Sequence, residues 1–495
     1  MKNFKILSRK ITRALLILFP PIFFFSYFPI ISLGSSESMN FELSLPEIWL
    51  VVFFLFSLPM LKVLYDFYGK KKLTLAAIIP TYLSLTILWS DNRPRAILTA
   101  GLFWLLTFAA LSIIYRLKTD KDIRVSLIKS LLISAVAVSA FCWLQCILDI
   151  VGISRDVTLL CRGCVSTTFG FPHPSGFAIE PQFMGNLLLA PTLLSFYLLI
   201  KKHGSTLLTL FLSSTLFLTL SRGAIYAFII ALVLMFVLIK KKPMVIRPIA
   251  CAFISLALAL ASFGFFAVLG PTNDSFIDGT TKAIHQLTLG KIDLRPKSSA
   301  QGTPQFPGST DTSTTTTVPD VPDTSTLVFT PENPNMASSA SFSGYVEEST
   351  NTRLNLNSLA LKTWVSSPKY ILIGAGLGSA GPAMHQKFPE EIGPKEIVQN
   401  EYVSLLLETG LLGVALTLTV VIFTTIYLAR RKLIKNNPLF ISVALSFAFT
   451  LLFFSGLPNA LHLYLFPLLL FNFDFSSKHD FLIANEVQGH RHRRH

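Results

Sequence analysis

The sequence predicts an all-α, polytopic membrane protein with about 12 transmembrane helices and one large extracytoplasmic loop between helices 9 and 10. Three observations carry this. Only 14% of the 495 residues are charged and 52% are hydrophobic, whereas soluble domains carry about 25% charged residues. Apolar runs near 20 residues, the length needed to cross a hydrocarbon core about 30 Å thick, recur along the chain. Finally, Lys and Arg gather on alternate connecting loops.

The runs fall near 12–33, 47–65, 73–90, 96–115, 125–151, 177–200, 205–220, 223–239, 248–269, 402–429, 437–455 and 457–473. The first has no small-residue cleavage site and further spans follow, so it reads as a retained helix rather than a signal peptide. With the N-terminus placed in the cytoplasm, the short inner segments are 1–10, 66–72, 116–124, 201–204, 240–247, 430–436 and the tail. Together they hold 25 Lys or Arg, against five in the short outer loops: Arg93, Arg95, Arg155, Arg162 and Arg222. This asymmetry is the positive-inside rule. It places both termini in the cytoplasm of a cell (inner or plasma) membrane protein. The net charge of +15 is therefore a topology signal, and no nucleic-acid partner is expected.

The five outer cations are all arginines. Arginine is the better planar, bidentate phosphate clamp, so the outer face suits a phosphorylated ligand. Cys161 and Cys164, in "CRGC", read as a small disulfide or inert thiols. No second Cys or His pair lies at ligand spacing, so no metal and no cofactor is expected. Cys142, Cys146 and Cys251 lie in spans and read as packing residues.

The expected organisation is helices 1–9 over 1–269, an extracytoplasmic loop domain over 270–400, helices 10–12 over 401–473 and a basic tail over 474–495. Within the loop, a Thr/Ser/Pro-rich insertion near 296–345 reads as disordered. Before it, "NDSFIDGTTKAIHQLTLG" suggests a short surface helix. After it, "TRLNLNSLALKTWVSSP" spaces Leu356, Leu359, Ala360 and Trp364 for a helix that starts at Arg353 and is ended by Pro368. Next, "KYILIGAGLGSAG" reads as an extended run into a Gly-rich turn. Gly376, Gly378 and Gly381 match GxGxxG, but no strand-turn-helix unit with a partner acid surrounds them. They read as a tight, close-packed turn.

The tenth span opens unusually, with "QNEYVSLLLETGLLG". From Tyr402 to Ala429 a continuous helix would extend about 42 Å, more than the core needs. Counting 20 residues back from Ala429 reaches Gly410, so the span proper begins there and Asn400 to Leu407 stand above it. Glu401, Ser404 and Glu408 share one helix face. The same counting places Glu180 of "FAIEPQF" at the outer start of its helix, with Pro181 suited to the first turn. Arg222 of "LTLSRGAIY" lies between two spans at that level. Each has a plainer reading: an interfacial Arg as a snorkelling anchor, a Glu at a helix start as a dipole partner, His173 and His385 as surface residues, and the terminal "GHRHRRH" as a solvated tail. Their shared level is what joins Arg222, Glu180, Glu401, Glu408 and Arg353 into one candidate site.

"SRGA", "TRLNLNSLALKTWVSSPKYILIGAGLGSAG" and "QNEYVSLLLETGLLG", in this order and topology, resemble the O-antigen ligase/polymerase family over about 170–425. The resemblance implies a metal-independent, GT-C-like glycosyltransferase. It would move a glycan from a polyprenyl diphosphate carrier to a glycan, lipid or protein hydroxyl acceptor on the outer face. Arg222 and Arg353 would bind the diphosphate, Asn400 would position, and a base would come from the catalytic candidates Glu180, Gln399, Glu401 and Glu408. One departure stands out: Gln399 occupies the place of the family's histidine. Neutral Gln accepts no proton, so a carboxylate takes that role, or the position orients by hydrogen bonding, or the activity is altered. The rival reading is a multi-pass glycolipid transporter or flippase. That class favours charged or broken helices at the bilayer midplane, often in paired repeats; here the polar residues collect at the outer boundary and no repeat stands out.

Overall fold

The computed structural model describes residues 2–25, 29–36, 39–151, 174–178, 181–239, 246–270, 274–288, 291–292, 294, 342–430, 437–453 and 465–470. Glu180, His173, Arg155, Arg162, the two outer cysteines, the insertion up to residue 341, most of the twelfth expected span and the tail lie outside them. The protein is a predominantly helical membrane protein. Its elements are α1 (Lys2–Phe23), a hairpin of β1 (Pro29–Ser36) and β2 (Met39–Ser44), α2 (Leu45–Ser57), α3 (Leu61–Thr86), α4 (Arg93–Thr119) and α5 (Lys121–Ile150). There follow α6 (Pro181–Ile200), α7 (Thr206–Leu218), α8 (Arg222–Leu238), α9 (Ile246–Leu269), α10 (Phe276–Leu287), α11 (Phe342–Val365), α12 (Pro368–Ile373), α13 (Ala380–Lys387), α14 (Glu401–Arg430) and α15 (Pro438–Thr450).

Six helical stretches are long and apolar enough to cross a membrane: Leu45–Thr86, Arg93–Thr119, Asp122–Ile150, Pro181–Ile200, Ile246–Leu269 and Glu401–Arg430. Shorter apolar helices at Thr206–Leu218, Arg222–Leu238 and Pro438–Thr450 pack with them. The expected second and third spans are joined with no loop at 66–72. A 3-10 turn links α2 to α3, and the path breaks at Gly69, with φ 71° and ψ 161°. The expected first span of 12–33 is also corrected. Two consecutive prolines occupy the last turn of α1, the helix stops at Phe23, and an antiparallel hairpin pairs Pro29 with Ser44. This hairpin departs from the all-α expectation.

The centre of the bundle is α6, buried at every position from Met184 to Ile200. A helix apolar all round has no face for water, and neighbours cover this one: α5, α7, α8, α9 and α15 all pack on it. Gly185 allows the closest approach, since a Cβ there would lie 2.7 Å from that of Ser221 and 2.9 Å from that of Ala224. The first turns of α6 and α8 are thereby pressed together. Cys142, Cys146 and Cys251 are buried free thiols, as expected of packing residues.

Around the expected Gly-rich turn the chain differs from its sequence reading in two ways. The helix carrying Arg353 begins earlier, at Phe342, so Arg353 lies within it. "KYILI" is not extended: Pro368 at the first helical position, after an extended Ser367, starts the short helix α12. That helix stops at Gly374, with φ 77°. Gly374, Gly376 and Gly378 all hold positive φ, a region L side chains rarely enter. A Cβ on Gly374 would fall 2.3 Å from the Glu408 carbonyl carbon, and one on Gly376 would fall 2.5 Å from Ser90 Cα. The turn is close-packed backbone on both sides, as the sequence suggested.

Near Gly410 the length argument is matched by the backbone. α14 is interrupted there, with φ 62° and ψ −172°, and a Cβ would meet the Ile373 and Gly374 nitrogens at 2.6 Å. Residues 401–409 form a docked segment, whereas most of 411–430 is exposed apolar surface suited to lipid. Gly374→Ala adds both a left-handed strain and a backbone collision. We expect it to lower stability by about 1–3 kcal/mol, read as a lower Tm of the detergent-solubilised protein; an unchanged Tm would contradict the tight turn.

Candidate functional site

The turn at 451–453, just after α15, gathers the site. Three helix beginnings reach it. The Glu401 N–H, at the start of α14, donates to the Leu451 carbonyl at 2.9 Å. Gln182, in the first turn of α6, donates from Nε2 to the Phe453 carbonyl at 2.9 Å. Gly223, beside Arg222 at the start of α8, has room for only an ordinary contact with Phe453, whose Cβ would lie 3.4 Å from an added one. Helix beginnings carry a partial positive charge, and three of them lie beside this turn, with its Leu451 and Phe453 carbonyls accepting from two.

Of the predicted arginines, Arg353 is joined to this turn and Arg222 opens the helix beside it. Arg353 Nη2 donates to Gln182 Oε1 at 3.0 Å, so Gln182 joins α11 to the 451–453 turn through its two amide atoms. Arg222 opens α8, where Ser221 accepts the Ala224 N–H as the cap. Its charge acts on Tyr226 one turn along, and the Tyr226 hydroxyl bonds to the Leu287 carbonyl at the end of α10. The expected surface helix is present as α10, and it lies over α9 next to this wall.

Glu401 is 1% exposed and Ser404 4%, so the face read from their spacing is turned inward. Asn400 has a definite local job. Its Oδ1 accepts the N–H groups of Tyr402 at 3.0 Å and Val403 at 3.2 Å, which makes it the N-cap of α14. The polar opening "QNE" is therefore a proper helix start. Gln399 is half-buried in the segment just before it. His385 bonds through Nδ1 to the Ile392 carbonyl at 2.5 Å and is half-buried, not a free surface residue.

Glu408 is placed apart from this group. It is 3% exposed, buried within protein and not at an open boundary. Its Oε1 accepts the Ala380 N–H at 3.2 Å, and the Arg95 guanidinium and the Gly378 N–H exert a favourable electrostatic pull on it. The structure thus brings the Asn400–Glu401 helix start, the Gln182 that holds Arg353 and the helix start at Arg222 beside the 451–453 turn, and sends Glu408 to the Gly-rich turn. Glu180 directly precedes Pro181 but lies outside the described residues.

Sequence reasoning missed Gln182 and Arg95 as members of these clusters. Gln182 stood in the quoted "FAIEPQF", and Arg95 was one of the five outer arginines. Nothing in either local pattern announces partners at residues 353 and 408. Among the described residues, no group of three or more His, Cys, Asp or Glu could hold a metal ion.

Residues 207–418 match the family model described as O-antigen ligase, which bears out over that segment the family resemblance read from the motifs. No curated protein and no solved structure matches the chain. The matched segment contains Arg222, Arg353 and the whole of "QNEYVSLLLETGLLG".

The cap gives a local test. Asn400→Ala should cost about 1 kcal/mol of stability while Asn400→Ser or Asn400→Asp keeps most of it, read from thermal melts in detergent. Equal melts for all three variants would count against the cap.

Proposed function

We propose that this protein transfers a glycan from a polyprenyl diphosphate carrier to an acceptor hydroxyl on the outer face of the membrane. The observation that supports the reading is that the start of α14 at Glu401, the Gln182 that holds Arg353 and the start of α8 at Arg222 all lie beside the 451–453 turn, with Arg222, Arg353 and Glu401 inside the segment that matches the O-antigen ligase family. The family match supports an O-antigen ligase/polymerase-type membrane glycosyltransferase; the donor carrier, the residue roles and the outward orientation are our inference.

In this reading the acceptor oxygen attacks the anomeric carbon as the bond from that carbon to the diphosphate oxygen breaks. The polyprenyl diphosphate departs with the bonding electron pair. Negative charge grows on the leaving oxygen, where fixed cations stabilise the transition state more than the ground state. Arg222 and Arg353 supply this charge, with the helix beginnings of α6 and α8 aimed the same way. Arg353 is kept in place by Gln182.

The proton of the acceptor hydroxyl goes to a carboxylate. Glu401, whose N–H is bonded to the 451–453 turn, is the base we favour; Glu180, one residue before α6 in the sequence, is the other candidate. Gln399 takes the histidine's place as an uncharged hydrogen-bonding group that orients the acceptor, with Asn400 fixing the helix start beside it. No cofactor enters the scheme. The prenyl chain would lie along the exposed apolar flanks of α8 and α14.

The test is surface glycan, followed by gel in cells whose native gene is deleted and replaced by variants expressed at equal level. Arg222→Ala and Arg353→Ala should each remove the product by about 100-fold or more, the loss typical of one transition-state charge donor. Arg353→Lys should retain part of it, because a point charge replaces a fork. Glu401→Gln should abolish transfer without lowering the amount of folded protein. Unchanged glycan with either arginine variant would sink the diphosphate assignment.

A further inference from the structure

Three helices touch the Gly-rich turn at one end and meet again at the other. α3 reaches the turn with Thr86, whose Oγ1 accepts the Leu377 N–H at 3.2 Å. α4 reaches it with Arg95, whose stem packs on Gly378, an added Cβ there lying 2.7 Å from Arg95 Cγ. α14 reaches it with Gly410, pressed on Gly374. At 1.5 Å per residue, Thr86 to Lys70 spans about 24 Å, Arg95 to Arg116 about 32 Å and Gly410 to Arg430 about 30 Å. These lengths match a hydrocarbon core about 30 Å thick. Lys70, Arg116 and Arg430 thus mark the second boundary of the bilayer, one membrane thickness from the Gly-rich turn.

Side chains join the far ends to one another. The Tyr68 hydroxyl donates to the Leu111 carbonyl at 2.8 Å, and Arg116 Nη2 bonds to Met60 Sδ at 3.3 Å. Lys72 Nζ lies 5.9 Å from the centre of the Tyr427 ring, a cation–π distance. Around these contacts Lys70, Lys71, Lys72 and Arg430 are exposed, and so are the rings of Tyr65 and Tyr427. With Lys62, residues 61–72 and 427–430 hold five cations against one acid, Asp66. Gly69 heads the lysine run with φ 71° and ψ 161°. Unlike the glycines of the Gly-rich turn it serves no close packing, since a Cβ there would meet nothing within 4 Å. The break leaves open space beside the lysines.

Exposed lysines at a helix end are by themselves a topology signal. Here the cations come from two helices far apart in sequence that meet in one place, and tyrosine rings, the residue type that sits at headgroup level, stand among them. The exposed apolar flank of α14, with Phe423 and Ile426, runs directly into the patch. A phosphate at the boundary would meet positive charge, and the acyl chains attached to it would meet apolar side chains. That pairing fits a lipid better than a soluble anion. We propose that Lys70, Lys71, Lys72 and Arg430 form a binding site for the headgroups of anionic phospholipids at the membrane boundary away from the Gly-rich turn, and that a bound lipid holds the ends of α3 and α14 together. The proposal does not depend on the glycan-transfer reading.

The experiment titrates the full-length protein in detergent with dioleoylphosphatidylglycerol or dioleoylphosphatidylcholine. Bound lipid is read by native mass spectrometry and Tm by thermal melts. The wild type should retain phosphatidylglycerol in preference to phosphatidylcholine, and its Tm should rise with the anionic lipid alone. The triple variant Lys70→Gln, Lys71→Gln, Lys72→Gln should bind phosphatidylglycerol about 100-fold more weakly, roughly fivefold for each charge removed near a membrane surface, and should lose the gain in Tm. Replacing the same three lysines by Arg should keep both. Lys201→Gln with Lys202→Gln, at exposed lysines on another turn, should bind as the wild type does. Equal lipid selectivity in the wild type and the Gln triple variant would overturn the proposal. An equally large loss in the Lys201/Lys202 variant would do the same, since it would mark a general charge effect. So would an equal Tm gain from glycerol 3-phosphate, which would make the ligand a soluble anion. If the Gln triple variant does not fold, Arg430→Gln carries the test, with a loss of about fivefold expected and unchanged binding counting against the site.

Discussion

The close approach of two stretches of bare backbone, 372–378 and 407–410, is the constraint on which the rest of this structure depends. Neither stretch tolerates a side chain at the points of contact, and the positive φ angles at Gly374, Gly376, Gly378 and Gly410 let both chains turn away again. A straight helix from Glu401 to Arg430 would carry its first two turns out beyond the bilayer with nothing to hold them. The break at Gly410 lets those turns lie against protein. One helix thereby becomes two objects, a lipid-facing span and a docked rod with buried carboxylates at both ends.

Burying carboxylates has a cost that must be met locally. A lone charge in an apolar interior is expensive, and pairing it with a cation and with N–H donors offsets the loss of water. At Glu408 the means are visible: the Ala380 N–H bonds to it, and Arg95 and the Gly378 N–H act on it electrostatically. Such groups are expensive to leave unsatisfied, so a glycine turn that exposes its N–H groups in one direction is matched to a carboxylate that needs them. The 451–453 turn gathers the beginnings of α6, α8 and α14, and Arg353 is tied to it through Gln182.

The sequence carried much of the architecture, with identifiable errors. Continuous apolar runs gave most of the helices, and the all-round apolar character of 181–200 matches its place at the centre. Length alone located the end of the docked rod at Gly410, because an α-helix has a fixed rise and a bilayer a fixed thickness. The reading failed where local signals compete. β-branched residues in "KYILI" suggested an extended run, but Pro368 started a helix. The polar segment before Arg353 concealed that the helix begins at Phe342. Basic residues at 66–72 suggested a loop, although lysines fit a helix well and only Gly69 interrupts the path.

By itself the sequence determined the membrane class, the family resemblance, the two arginines and the helix face bearing Glu401 and Glu408, because hydropathy, charge bias and a 3.6-residue period are properties of neighbouring residues. Tertiary structure decided which of these act together. Arg95 and Glu408 are separated by more than 300 residues, and Gln182 and Phe453 by 271. No local pattern encodes such pairings; they arise when helices pack and glycine lets backbones touch. That packing gave the two carboxylates of one helix face different surroundings, one at the helix start beside the 451–453 turn and the other bonded into the Gly-rich turn.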